Sequence, residues 1–262
     1  MKRSVAGRAP AGFASVQLIL LLMLLMLSAC AQKQIGKPDE LTEREQLNLQ
    51  LSIRYLQQGD LSSAADKLRK VLETRPGLVV ANGLLGLIYN EQGDHARAES
   101  HFKRALKSAD KNRREYAEVN NNYGVFLCRQ GKYQEAQKAF QIAYEHRDYL
   151  TPESAYENAA LCALDQKDHQ QAEMFFRKVL EAKPQMPRSL LGMARLQLEQ
   201  GKPFIGRAYI ERYESIQPQS SDEALWLGYE IEMQLNAQKQ AQRYRTSLLS
   251  KYPNSKYAVK VK

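Results

Sequence analysis

Asn121–Phe140, NNYGVFLCRQGKYQEAQKAF, reads as two short amphipathic helices broken at Gln130-Gly131-Lys132. In the first half Tyr123 precedes Gly124, and Leu127 falls one turn after the glycine. In the second half Ala136 and Phe140 lie four apart, again on one helical face. Gly124 and Ala136 are small enough for two helices to cross closely, and Tyr123, Leu127 and Phe140 fill what is left. A single pair of this length cannot bury its own apolar face. The stretch makes physical sense only if similar pairs stack on both sides of it.

Copies are present in both directions. Leu85-Gly86, Tyr89, Gly93, Ala98 and Phe102 repeat the pattern upstream, and Leu51, Tyr55, Gly59, Ala64 and Leu68 repeat it before that. Downstream come Ala159-Ala160, Ala163, Ala172 and Phe176, then Met193-Ala194, Gly201, Gly206 and Ile210, then Leu227-Gly228, Ile231, Ala241 and Leu248. This large–Gly–large and Ala-x-x-x-Phe register resembles the tetratricopeptide (TPR) repeat. The chain is rich in Ala, Leu, Gln, Glu, Lys and Arg, with no sustained alternation, which favours helix over strand. The expected fold is all-α: a right-handed solenoid of six TPR helix pairs over residues 45–262, with repeats starting near 45, 79, 117, 153, 187 and 221. The longer step into the third repeat places extra residues around Ala109–Tyr116, expected to lengthen that joint. In the sixth repeat the second half runs one residue late, so the turn Leu235-Asn236-Ala237 is expected to be irregular.

The N-terminus has a different composition. Lys2, Arg3 and Arg8 precede an apolar run over Val16–Leu27, followed by Leu27-Ser28-Ala29-Cys30. A positive start, a short apolar run and small residues make an export signal. The last four residues resemble the bacterial lipobox, which implies cleavage after Ala29 and acylation of Cys30. Residues 1–29 are thus read as a lipoprotein signal peptide and 30–44 as an acylated flexible tether, with Thr42 and Glu45 as a capping box opening the first helix. Ala31 after the cysteine favours, by resemblance to bacterial lipoproteins, the outer membrane over the inner one. Net charge is +9, three of it in the signal segment, and the remaining basic residues read as scattered among acidic ones. Nucleic acid is therefore not an expected partner.

Signals for catalysis are weak. His95, His101, His146 and His169 fall in no ligand-like spacing, each Gly is explained by a repeat or a turn, and the carboxylates read as solvated helix faces. No enzyme activity, no cofactor beyond the lipid on Cys30 and no small-molecule substrate are expected. In a TPR stack the first helices line a groove. Mapped onto it, Leu49, Ile53 and Leu56 of the first repeat and Leu87 and Asn90 of the second make an apolar N-terminal stretch, with Asn121 further along. This groove is expected to take an apolar peptide or strand of a partner protein, unless the chain's own N-terminal segment covers it. Cys128 and Cys162 lie on neighbouring first helices, in an exported chain that meets an oxidising compartment. They read as a disulfide candidate or as two separate buried thiols.

Beyond the repeat register, Asn121-Asn122-Tyr123-Gly124-Val125-Phe126-Leu127-Cys128, Glu157-Asn158-Ala159-Ala160-Leu161-Cys162, Leu190-Leu191-Gly192-Met193-Ala194 and Leu225-Trp226-Leu227-Gly228-Tyr229-Glu230-Ile231-Glu232 resemble the type IV pilus biogenesis lipoproteins of the PilF/PilW type. Ala160 stands where a glycine is common. The resemblance implies an outer-membrane pilotin on the periplasmic face that binds pilus secretin subunits and promotes their localisation and multimer assembly, and hence pilus biogenesis and twitching motility. The alternative is an adaptor for peptidoglycan hydrolases or for the outer-membrane protein insertion machinery.

Overall fold

The computed structural model describes residues 40–261. The signal segment, Cys30 and the tether as far as Asp39 lie outside the described residues. The chain divides into two compact units after Leu47. In the first, Thr42 N–H donates to Glu45 Oε2 at 2.8 Å and Glu45 N–H donates to Thr42 Oγ1 at 3.3 Å. This reciprocal cap starts α1 (Glu43–Gln57) slightly ahead of the expected boundary at residue 45.

The second unit, from Asn48, is a TPR solenoid, helical throughout and without strands among the described residues. After α1 come α2 (Leu61–Thr74), α3 (Val79–Glu91), α4 (His95–Ser108), α5 (Arg114–Arg129), α6 (Tyr133–Glu145), α7 (Pro152–Asp165), α8 (His169–Ala182), α9 (Pro187–Glu199), α10 (Pro203–Ile216), α11 (Asp222–Gln234), α12 (Gln238–Lys251) and a short α13 (Lys256–Lys260). Within repeats α3 packs on α4, α5 on α6, α7 on α8, α9 on α10 and α11 on α12. Between repeats each first helix from α3 onward meets the next first helix, and α13 packs on α11 and α12.

One turn joins the two helices of every repeat. The N–H groups of Asp60, Asp94, Lys132, Asp168, Lys202 and Ala237 each donate to the carbonyl five residues earlier. The residue before each of them is left-handed. Four of these are glycines, and Lys167 (φ 67°) and Asn236 (φ 57°) take the same conformation without being glycine. The expected irregularity at Leu235-Asn236-Ala237 is therefore absent. The extra residue of the sixth repeat falls in the connection 217–221, five residues long where 183–186 is four, and asparagine tolerates the conformation that glycine supplies elsewhere. Asp60, Asp94 and Asp168 then cap the second helices, accepting from the N–H groups of Ser63, Arg97 and Gln171.

The joint between the second and third repeats is lengthened mostly inside a helix. α5 begins at Arg114, ahead of the expected Ala117, and spans 16 residues where α3 spans 13. Pro76, Pro184, Pro218 and Pro253 stand just past the ends of second helices, where a missing N–H costs nothing.

Close approach within three of the pairs depends on missing side chains. A Cβ on Gly124 would lie 2.6 Å from Phe140 Cε1, and one on Gly86 would lie 2.8 Å from Phe102 Cδ1. The sixth pair repeats this with Gly228 beneath the ring of Tyr244. Phe102, Phe140 and Phe176 are fully buried, and the seam from Ala64 to Leu196 forms one continuous apolar cluster. At the C-terminal end Ala258 and Val261 close over Leu225 and Leu248, so α13 caps the last repeat.

Candidate binding face on the first helices

The first helices present one residue in every three or four to a common face, set by the 3.6-residue period. Its character changes along the stack. On α1, Ile53 is 45% exposed, and on α3 Val80 is 40% exposed. Leu49, Leu56 and Leu87 are half-buried and pack against the main apolar cluster, so each offers only part of its surface. Asn90 and Asn121 are buried. The apolar N-terminal face is thus narrower than the sequence pattern suggests, with Ile53 and Val80 as its outstanding side chains.

From Glu91 at the end of α3 onward the face carries polar cross-links between neighbouring first helices. Arg129 on α5 reaches back to Glu91 on α3 at 2.9 Å. Asn158 on α7 donates its side-chain amide to Asn121 Oδ1 on α5 at 3.0 Å. Glu157 on α7 is only 3% exposed, with Oε1 accepting from Ser189 Oγ at 2.7 Å and Oε2 paired with Arg188 on α9 at 3.1 Å. Further along, Glu199 binds Lys167 at 3.1 Å, His169 at 3.1 Å and Arg195 at 3.0 Å. Burial pushes the Glu199 carboxyl up, but the hydrogen bonds from Lys167 and Arg195 outweigh it and hold the group below its ordinary range.

Cys128 on α5 and Cys162 on α7 are joined in a disulfide, their Cα atoms 5.8 Å apart. The bridge lies on the same first-helix face as the Asn121–Asn158 contact and ties the third repeat to the fourth. It separates the apolar end at α1 and α3 from the charged ladder at α7 and α9.

Some of these residues were not legible as a site. Glu157, Ser189 and Arg188 lie about one repeat apart in sequence, and no local spacing links a buried carboxylate to partners in the next repeat. A glutamate at an inward repeat position, within Ala-rich surroundings, was the available signal. The same applies to Glu232, 4% exposed, which Arg207 grips through Nε at 2.7 Å and Nη2 at 2.5 Å. Among the described residues no group of three or more His, Cys, Asp and Glu side chains is placed to hold a metal ion.

Residues 49–113, 115–185 and 163–227 each match a tetratricopeptide repeat model. The type IV pilus assembly protein PilF of Pseudomonas aeruginosa is 30% identical over 207 residues, 79% of this chain and 80% of that protein. The chain belongs to the PilF family of type IV pilus TPR proteins. The solved structures agree. The crystal structure of PilW, described as a widely conserved type IV pilus biogenesis factor, superposes with a TM-score of 0.77 at 26% identity, covering 84% of this chain and 99% of that one. The P. aeruginosa PilF structure gives 0.71 at 28% identity over 83% and 96%. Family members are TPR proteins of pilus biogenesis, and the stacked helix faces described above are of the kind that binds other proteins.

Proposed function

We propose that the protein is an outer-membrane lipoprotein pilotin. Acylated at Cys30 and facing the periplasm, it binds subunits of the type IV pilus secretin and promotes their localisation and multimer assembly, and through them pilus biogenesis and twitching motility. The observation that carries this reading is the relation to PilF over four-fifths of both chains. It is supported by the exposed apolar side chains of Ile53 and Val80 on the two N-terminal first helices. An exposed apolar pair flanked by partly covered leucines suits one extended or helical apolar segment of a partner, docked where the solenoid begins. The mechanism is tethering. An acylated arm confines the bound subunit near the bilayer and raises its effective concentration there, with no chemical step.

The test has two parts. Deletion of the gene is expected to abolish twitching and heat-resistant secretin multimers. Normal multimers with normal motility refute the pilotin reading, and a shifted muropeptide or outer-membrane protein profile points instead to the adaptor role. Ile53→Glu with Val80→Glu places charges on side chains that are already exposed, so the fold is retained, and loss of secretin capture is expected. Persistent capture by this folded variant moves the binding face elsewhere.

A further inference from the structure

The C-terminal end breaks the charge pattern of the rest of the chain. After Glu232 there is no Asp or Glu, while Lys239, Arg243, Arg245, Lys251, Lys256, Lys260 and Lys262 supply seven cations against a net charge of +9. The reading of the basic residues as scattered among acidic ones does not hold for this segment. Elsewhere carboxylates are interspersed and some cations pair with them, as Lys103 with Glu99, Arg129 with Glu91, Arg177 with Glu173 and Arg195 with Asp165, while others such as Lys67, Lys70 and Lys138 do not among the described residues. Among the described residues Lys239, Arg243, Lys251, Lys256 and Lys260 form no such ion pair.

These charges lie on two packed elements. On α12 the side chains of Lys239, Gln242, Arg243, Thr246 and Ser247 line a shallow open groove in which every member can donate a hydrogen bond and none carries a negative charge. On α13 Lys260 Nζ sits 4.4 Å from the centre of the Trp226 ring and Lys256 Nζ 4.8 Å from that of Tyr257, with the two rings stacked 5.0 Å apart. Val259 beside them is 67% exposed. Acidic groups border this region on the α11 side, where Asp222 and Glu223 add to the burial that raises the Tyr257 phenol and Glu230 accepts from Trp226 Nε1 at 3.2 Å, and on the α10 side. There Glu211 and Glu214 share a cleft with Arg243, Tyr244 and Lys251, and Glu232 is taken up by Arg207.

We infer that the α12–α13 surface is a docking site for an anionic phospholipid membrane. The argument is charge complementarity combined with the kind of side chain that accompanies the charge. Lysine ammonium groups lying against aromatic rings next to an exposed valine form an interfacial set, in which rings and valine enter the headgroup region and the ammonium groups beside them meet the phosphates. An acidic protein partner of ordinary affinity needs a central desolvated pocket for an anchoring side chain, and this surface is shallow and open. The inference does not rest on the pilotin reading or on acylation of Cys30. With an acyl chain present, the surface supplies the second of the two signals that stable membrane attachment requires.

The experiment is co-sedimentation of the full chain with phosphatidylcholine vesicles and with vesicles containing three-tenths phosphatidylglycerol, at low and high salt. The readout is the ratio between the two vesicle types, which cancels any apolar contribution from the N-terminal run. Each cation near an anionic surface strengthens binding about fivefold. Lys239→Glu, Arg243→Glu, Lys256→Glu and Lys260→Glu together are therefore expected to remove a preference of at least ~100-fold, and 0.5 M salt to do the same to the unmodified protein by screening. If circular dichroism shows that the glutamate set disturbs the fold, the corresponding glutamine set is used, with the same loss expected. Equal binding to both vesicle types overturns the inference, as does a preference that survives in the folded variant. Binding to poly-glutamate or heparin without binding to anionic vesicles also overturns it and identifies a polyanion or protein site.

Discussion

Removal of the Cys128–Cys162 bridge is a perturbation whose size can be worked out from the structure. The two cysteines are 34 residues apart in sequence. Closing a loop of that length lowers the entropy of the unfolded chain by an amount equivalent to about 4 kcal/mol at 25 °C in the chain-entropy model. Cys162 is 2% exposed and Cys128 half-buried, so the replacements should differ. Alanine at 162 avoids placing a hydroxyl in an apolar site, and serine is acceptable at 128. With a urea slope of about 3 kcal/mol/M for a chain of this size, the double variant, or the unmodified protein under reductant, is expected to unfold at about 1–1.5 M lower urea. Circular dichroism at 222 nm with and without reductant measures this. A midpoint that moves by less than ~0.3 M refutes the reasoning, and so does alkylation of two free thiols in the unreduced protein. A repeat stack unfolds through nearest-neighbour interfaces, so the loss is concentrated between the third and fourth repeats. The face around Ile53 and Val80 lies on α1 and α3, away from that interface. Partner capture by the folded double variant is therefore expected to be unchanged, whereas a binding face in the middle of the stack would lose it.

Three further outcomes follow from single side chains. Gly124→Val forces a Cβ to within 2.6 Å of the Phe140 ring and is expected to cost about 2–3 kcal/mol in a urea melt, partly recovered by Phe140→Leu. Lys167→Gly relieves a left-handed non-glycine residue and should stabilise by about 0.5–1 kcal/mol, because the exposed Lys167–Glu199 pair that it removes contributes little. His101 stacks on Tyr89 and bonds Asn82 Oδ1 at 2.9 Å, and burial, with Arg104 and Arg97 adding, holds its imidazole below its ordinary range. The unfolded chain then binds a proton that the folded one refuses, so stability falls as pH drops below about 6.5, and His101→Gln should flatten that part of a melting-temperature profile.

Repeat register was legible because it rests on local spacing. Gly124 with Phe140 and Gly86 with Phe102 are short-range patterns whose geometry the helix period dictates. The turn at Asn236 was misjudged for an instructive reason. The extra residue shifted the spacing, but the hydrogen bond from Ala237 to Glu232 needs only a residue able to turn left-handed, and asparagine serves. The binding face was legible only in outline. Whether Leu49, Leu56 and Leu87 show to solvent or fold into the seam depends on the rotation between adjacent first helices, which no single repeat encodes. The pairing of Glu157 with Arg188 and Ser189, and the meeting of Cys128 with Cys162, are set by the same rotation.

That rotation also explains why the polar and apolar parts of the face are separated as they are. A buried carboxylate such as Glu157 is tolerable only where the next first helix brings a cation and a hydroxyl to it, as α9 does. Each such link fixes the angle between two repeats and occupies the face at that point, so the stretch from α5 to α9 is both rigid and largely satisfied by its own partners. Groups satisfied within the chain have little left to offer a ligand. The features singled out above lie toward the two ends: Ile53 and Val80, apolar, at the start of the stack, and Lys239, Arg243, Lys256 and Lys260 on α12 and α13 at its close. Two chemically unlike ends on a stiff middle suit a protein that holds a polypeptide at one end and an anionic surface at the other.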